Sequence, residues 1–178
     1  MIAILSTICF AAIYQFTDDD FFLSLAITSG TISYHFCIRL IVGALFNMIM
    51  KNQADHTKPW YQVSAWEQTL YKKLKVKKWK DKMPTFDQDV FDASKHSWDE
   101  IVQAMCQSEL VHEVNILLSF VPIAASVWFG AFAVFLITSV LGAAFDLAFV
   151  IMQRYNRPRV IKMIERKQIK HGDGPSVG

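Results

Sequence analysis

Charge is missing from long stretches of this 178-residue chain. Residues 1–16 carry none, residues 21–50 carry only Arg39, and residues 114–153 carry only Asp146. Charged residues make up 19% of the total, against about a quarter in a soluble domain. Hydrocarbon penalises each charge at a helix centre by roughly 2.5–3.5 kcal/mol on insertion scales, so blocks this clean exclude an ordinary soluble fold. Cysteine is scarce too. Cys9, Cys37 and Cys106 make no C-x-x-C pair, which implies neither a disulfide framework nor a zinc site. There is no H-E-x-x-H, and Glu-x-x-His occurs once, at Glu109 and His112; a di-iron bundle needs two copies and further carboxylates. No metal is assigned.

What remains is apolar sequence in lengths that count membrane passes. A helix rises about 1.5 Å per residue and the hydrocarbon core is about 30 Å thick. Block 114–153 would run roughly 60 Å as one helix, so it folds into a hairpin of two helices, about 114–129 and 131–153. The break falls near Trp128–Gly130, where an aromatic and a glycine suit an interfacial turn; Pro122 and Gly142 lie inside the arms. Block 21–50 is one long or tilted pass. Block 1–16, about 24 Å as a helix, lacks the basic start of a signal peptide and reads as an uncleaved first helix ending at Thr17-Asp18-Asp19-Asp20. The expectation is an all-α integral membrane bundle of about four helices in one membrane domain.

Lysine and arginine set the orientation. Residues 72–82 hold seven lysines against one aspartate, and the tail 154–178 holds seven Lys/Arg against two acids. The positive-inside rule puts both in the cytoplasm of a multi-pass cell-membrane protein, consistent with an even number of crossings. Region 51–113 interleaves Trp60, Tyr61, Trp66, Tyr71 and Trp79 with lysines, as an element in the headgroup layer does. Tethering at both ends argues against nucleic acid as its partner. Ser97-Trp98-Asp99-Glu100 has the pattern of a capping box opening a helix that continues into the third pass.

Three groups of residues carry candidate chemistry. His35 and Arg39 are four apart, share a helix face and lie within an apolar block; an ionisable residue there faces the bundle interior, a wet cavity or a partner. The alternative is that Arg39 snorkels and His35 only ties helices together. Glu109 and His112 also share a face, and a carboxylate that orients a histidine makes it a natural general base; a capping or interfacial pair is the structural alternative. Gln153-Arg154-Tyr155-Asn156-Arg157-Pro158-Arg159 forms a donor-rich turn suited to phosphate or carboxylate, since the arginine fork binds such groups through two hydrogen bonds. It equally suits an ordinary positive-inside flank.

At these residues the chain resembles the glycosyl-4,4'-diaponeurosporenoate acyltransferases, small membrane enzymes of staphyloxanthin-type synthesis. The likeness rests on Trp66 with Lys77-Lys78-Trp79-Lys80-Asp81-Lys82-Met83, on Ser108-Glu109-Leu110-Val111-His112, and on the stretch 153–159, which matches residue for residue. The element from His35 to Arg39 looks like the family's first block. These blocks span roughly 66–159, over half the chain.

The resemblance implies transfer of a fatty acyl chain onto a hydroxyl of a glycosylated lipid, a carotenoid glycoside or another glycolipid. His112, oriented by Glu109, would take the hydroxyl proton, with His35 as the other candidate histidine, and Asn156 or an arginine would stabilise the developing oxyanion. Arg39, Trp79, Lys80, Lys82, Arg154, Tyr155, Arg157 and Arg159 would hold substrate. No cofactor is implied beyond the acyl donor, acyl-CoA or acyl carrier protein, as co-substrate; the lipid bilayer and a lipid acceptor are the other partners. The chain lacks the His-x4-Asp signature of glycerolipid acyltransferases and lacks G-x-S-x-G, which argues against a serine acyl-enzyme on a hydrolase elbow. Two rival classes are a transferase acting on a lipid headgroup through a nucleotide or pyrophosphate, and a non-catalytic lipid-binding or assembly subunit.

Overall fold

The computed structural model describes residues 2–83 and 89–170. Residues 84–88 of the connecting region and 171–178 of the basic tail lie outside them. The described residues form helices α1 (Ile2–Thr17), α2 (Asp20–Met50), α3 (Ala65–Lys73), α4 (Val76–Trp79), α5 (Trp98–Leu118), α6 (Ser126–Phe129) and α7 (Phe132–Lys170), with short 3-10 turns between several of them and no strand. Asp20–Met50, Trp98–Phe129 and Phe132–Lys167 are long and apolar enough to cross a membrane, and α1 is a shorter apolar helix. The fold is all-α, as the apolar blocks predict.

Local chemistry explains the breaks. Asp18, in the left-handed region (φ 51°), ends α1, and Asp19 Oδ1 accepts from the Phe21 N–H at 2.9 Å to start the next helix. The capping box read at Ser97 is present: Ser97 N–H donates to Glu100 at 2.7 Å and Glu100 N–H to Ser97 Oγ at 3.2 Å. A second one opens α3, with Ser64 and Glu67 in the reciprocal roles. Pro122 does more than kink its arm. The helix stops at Leu118 and continues as a 3-10 turn over Val121–Ala125 before α6. Gly130 (φ 65°) and Ala131 (φ 48°) then make the hairpin turn at the predicted place.

Burial runs opposite to that of a water-soluble protein. Ile8, Phe36, Leu45, Leu117, Val127 and Leu141 are exposed, whereas Thr31, His35, Asn115, Ser139 and Asp146 are buried. In lipid the outward face is apolar and polar groups turn inward, where helices hydrogen-bond to one another.

The chain forms two compact units. Residues 1–45 and 111–147 make the first, in which Thr7 donates to Ser29 Oγ at 3.0 Å and Tyr34 to the Leu118 carbonyl at 2.9 Å. Residues 46–110 and 148–178 make the second. There Ala54, Tyr61 and Cys106 form a small core against Met50 and Leu110. The aromatics of this unit divide: Trp60 and Trp66 face outward while Tyr61 and Tyr71 are buried.

Candidate active site

In the first unit, α2, α5 and α7 bring two ionisable side chains, Arg39 and His112, onto one carboxylate. Asp146, fully buried, receives Arg39 Nη2 at 2.6 Å on Oδ2 and Arg39 Nε at 3.3 Å on Oδ1. His112 Nδ1 lies 2.9 Å from Oδ1. A carboxylate paired with arginine only accepts hydrogen bonds, so His112 Nδ1 is the donor in this contact. Arg39 is held in turn: Nη1 donates to the His35 carbonyl at 2.8 Å and Nη2 to the Gly142 carbonyl at 3.0 Å, and its guanidinium lies 5.4 Å from the Phe145 ring centroid. The pairing suits a membrane interior, where each ion alone carries a large desolvation penalty.

His35 packs directly on Gly142. A Cβ at position 142 would stand 2.8 Å from its Cε1, so only glycine admits the ring. Both ring nitrogens of His35, together with Asn115 Oδ1 and Ser139 Oγ, are buried and have no hydrogen-bond partner among the described residues. Ser139, Gly142 and Asp146 follow at one-turn intervals on α7, and Asn115 lies one turn from His112 on α5.

The second unit holds a separate ionic network. Glu109, fully buried, takes Arg154 Nη1 at 2.5 Å on one oxygen and Arg157 Nη1 on the other. Arg157, also buried, donates to the Tyr61 carbonyl and stacks 5.2 Å from the Tyr61 ring. Arg154 donates further to Glu67 at 2.7 Å, to the Trp60 carbonyl at 2.9 Å and to the Gln62 carbonyl at 3.0 Å. Burial, the largest influence on the Glu67 carboxyl, pushes it up. The hydrogen bonds from Arg154, Ser64 and Tyr71 outweigh that and hold it down at about 2. Burial, followed by the hydrogen bond to Glu67, drives Tyr71 up to about 12. This network fastens segment 60–71 to α5 and α7 of the same unit.

The residues singled out in the sequence therefore divide. His112 and Arg39 meet, through Asp146, and His35 adjoins them through its carbonyl and Gly142. The spacing assigns His112 to Glu109; in the structure the carboxylate at its Nδ1 is Asp146, and the Glu109 oxygens hold Arg154 and Arg157. The forks of those two arginines, read in the sequence as open to an anion, are engaged with carboxylates and carbonyls. Tyr155 and Arg159 line a groove, with the Arg159 guanidinium 3.4 Å from the Tyr155 ring centroid. Asn156 belongs to the second unit and is half-buried. Trp79 donates to the Leu74 carbonyl at 3.1 Å, Lys80 is half-buried and Lys82 exposed. Asp146 is the residue that sequence reasoning missed. Its signal was present, since it is the one charge in a forty-residue apolar block.

A family model described as glycosyl-4,4'-diaponeurosporenoate acyltransferase matches residues 57–166, well over half of the chain. The matched stretch contains His112, Asp146, Glu109, Arg154 and Arg157, while His35 and Arg39 precede it. No curated protein and no solved structure matches the chain.

Proposed function

Because the chain belongs to the glycosyl-4,4'-diaponeurosporenoate acyltransferase family and is a membrane acyltransferase, we propose that it moves a fatty acyl chain from an activated thioester onto a hydroxyl of a glycosylated lipid, with His112 as general base. The observation that carries this reading is the Asp146 carboxylate bridging His112 and Arg39 inside the membrane-spanning helices. Asp146 fixes the imidazole tautomer and stabilises the imidazolium as the proton arrives; Arg39 supplies the counter-charge that Asp146 needs in the membrane interior.

The acceptor oxygen attacks the thioester carbonyl carbon while its proton passes to His112 Nε2. The tetrahedral intermediate expels the thiolate, which takes the proton back from His112, leaving an ester and a free thiol. General base catalysis of this kind supplies roughly 10²–10⁴-fold in rate. The unpartnered atoms of His35, Asn115 and Ser139 support a hydroxyl-bearing acceptor, since a hydroxyl both donates and accepts. Buried polar atoms left without a partner cost about 1–3 kcal/mol each, which an acceptor sugar would recover. A glycosyl carotenoid is the acceptor that the family suggests, and the lysine-rich segment 72–82 and the α7 end would face the cytoplasm of the cell membrane.

The test is incubation of the reconstituted protein with a labelled fatty acyl thioester and a glycolipid extract containing glycosyl carotenoid. A labelled, base-labile ester on the sugar supports the reading. Labelled free fatty acid or labelled phospholipid as the sole product would replace the sugar acceptor with water or a phospholipid alcohol.

A further inference from the structure

The second unit carries a groove of about 450 Å³ between the α3–α4 segment and α7. Besides Arg154, five cations line it: Lys72, Lys75, Lys77, Arg159 and Lys162. None has a carboxylate partner among the described residues, in contrast to Arg154 and Arg157 beside them. Among the described residues no acidic side chain lines the groove. Five like charges around one concavity repel one another, and a polyanion relieves that repulsion. The backbone is shaped for it: Lys75 sits in the left-handed region (φ 53°), and this turn separates α3 from α4 and sets Lys72 and Lys77 on either side of it. The walls add Tyr71 and Tyr155, edge to face with centroids 6.3 Å apart. Basic side chains against tyrosine rings suit a ligand that joins phosphate to an aromatic base.

We propose that this groove binds the nucleotide end of a coenzyme A thioester, whose pyrophosphate and ribose 3'-phosphate the five cations meet. The assignment rests on the acyl-transfer reading and names its donor. It also places the donor site mostly on residues outside the lysine–tryptophan–lysine motif: Trp79, Lys80 and Lys82 do not line the groove, whereas Lys72, Lys75 and Lys162 do, with Lys77 at the motif's edge. A single phosphate, as on the phosphopantetheine arm of a carrier protein, would leave most of the charge unmatched.

The experiment measures binding by calorimetry to the full chain in nanodiscs of phosphatidylcholine, using coenzyme A, its 3'-dephospho form and pantetheine. Coenzyme A is expected to bind, the dephospho form roughly tenfold to a hundredfold more weakly, and pantetheine not at all. The exposed pair Lys75→Ala/Lys162→Ala should weaken coenzyme A binding by a similar factor and raise KM for the thioester at unchanged kcat, while Lys95→Ala, outside the groove, changes neither. Equal binding of coenzyme A to wild type and the double variant overturns the proposal. So does binding of holo-acyl carrier protein in place of coenzyme A, or a double variant that loses only its affinity for phosphatidylglycerol vesicles. Groove-dependent coenzyme A binding without acyl transfer to any lipid would overturn the transferase reading and leave the groove. Transfer whose donor KM ignores the double variant would do the reverse.

Discussion

Asp146 offers one carboxylate oxygen to His112 Nδ1 at 2.9 Å and the other to Arg39 Nη2 at 2.6 Å. Removing either ionic partner strands the other in a low-dielectric interior, which costs about 3–5 kcal/mol. Arg39→Leu and Asp146→Leu should therefore each lower stability in detergent by that order, and the double variant should lose clearly less than their sum. Thermal unfolding of the four proteins checks this; strictly additive losses would mean that the two side chains do not pair.

Gly142 and His35 make a prediction that reverses sign. Alanine is a better helix former than glycine by about 1 kcal/mol, but a Cβ at 142 meets the imidazole at 2.8 Å. Gly142→Ala should destabilise by about 1–3 kcal/mol, as overpacking does. In a His35→Ala background the same change should become neutral or stabilising. A Tm series over the four combinations decides it, and a penalty that persists without the ring would locate the clash elsewhere.

Buried and exposed ion pairs in the second unit should behave differently. Glu109→Gln leaves Arg157 buried without its counter-charge and should cost about 3–5 kcal/mol. Asp89→Asn removes the exposed partner of Lys95, 2.7 Å away, and should cost no more than about 1 kcal/mol. Arg157→Lys keeps the charge but loses the fork that spans Glu109 and the Tyr61 carbonyl, so it should lower Tm. An Arg157→Lys protein of wild-type stability that loses donor affinity would return Arg157 to the binding role read from its sequence motif.

The Glu67 and Tyr71 shifts set pH limits on the second unit. Glu67 is held down, at about 2 against an ordinary 4.5, so its contribution is full above about 4.5 and is lost as pH falls towards 2. Tyr71 is pushed up, to about 12 from 10; its contribution is full below 10 and is lost as pH rises through 12. Melts across pH should show both limbs. Glu67→Gln should flatten the acid limb between 4.5 and 2, and Tyr71→Phe the alkaline one; limbs unchanged in both variants would assign the pH dependence to other groups.

Much of this architecture is legible in the residues themselves. Hydrocarbon selects against charge so strongly that the apolar blocks disclose their helices, and the capping residues at Ser97 and the turn at Gly130 act over a few neighbours, within reach of a sequence pattern. Pro122 illustrates the intermediate case: its presence announces a disturbance, but whether the helix bends or stops depends on what surrounds it. Partner choice was not legible. Glu109 and His112 share a helix face, so spacing alone pairs them; which carboxylate His112 meets depends on the register of α5 against α7, which brings Asp146 alongside. The same holds for Arg154 and Arg157, whose donors look available in a motif yet are engaged by carbonyls from residues 60–62 and by two glutamates. The basic groove went unseen because its lysines are divided between 72–77 and 162, far apart in sequence.

The most direct test of the central claim is the rate of acyl transfer to a glycolipid by wild type, His112→Ala and Asp146→Asn, each reconstituted at equal amounts and matched for folding by its melting profile. His112 as base predicts a loss of roughly 10²–10⁴-fold in kcat for His112→Ala. Asp146→Asn, which lets the imidazole take the wrong tautomer, should also fall steeply. A folded His112→Ala protein that transfers the acyl chain at the wild-type rate would contradict the account and remove the histidine from the chemistry.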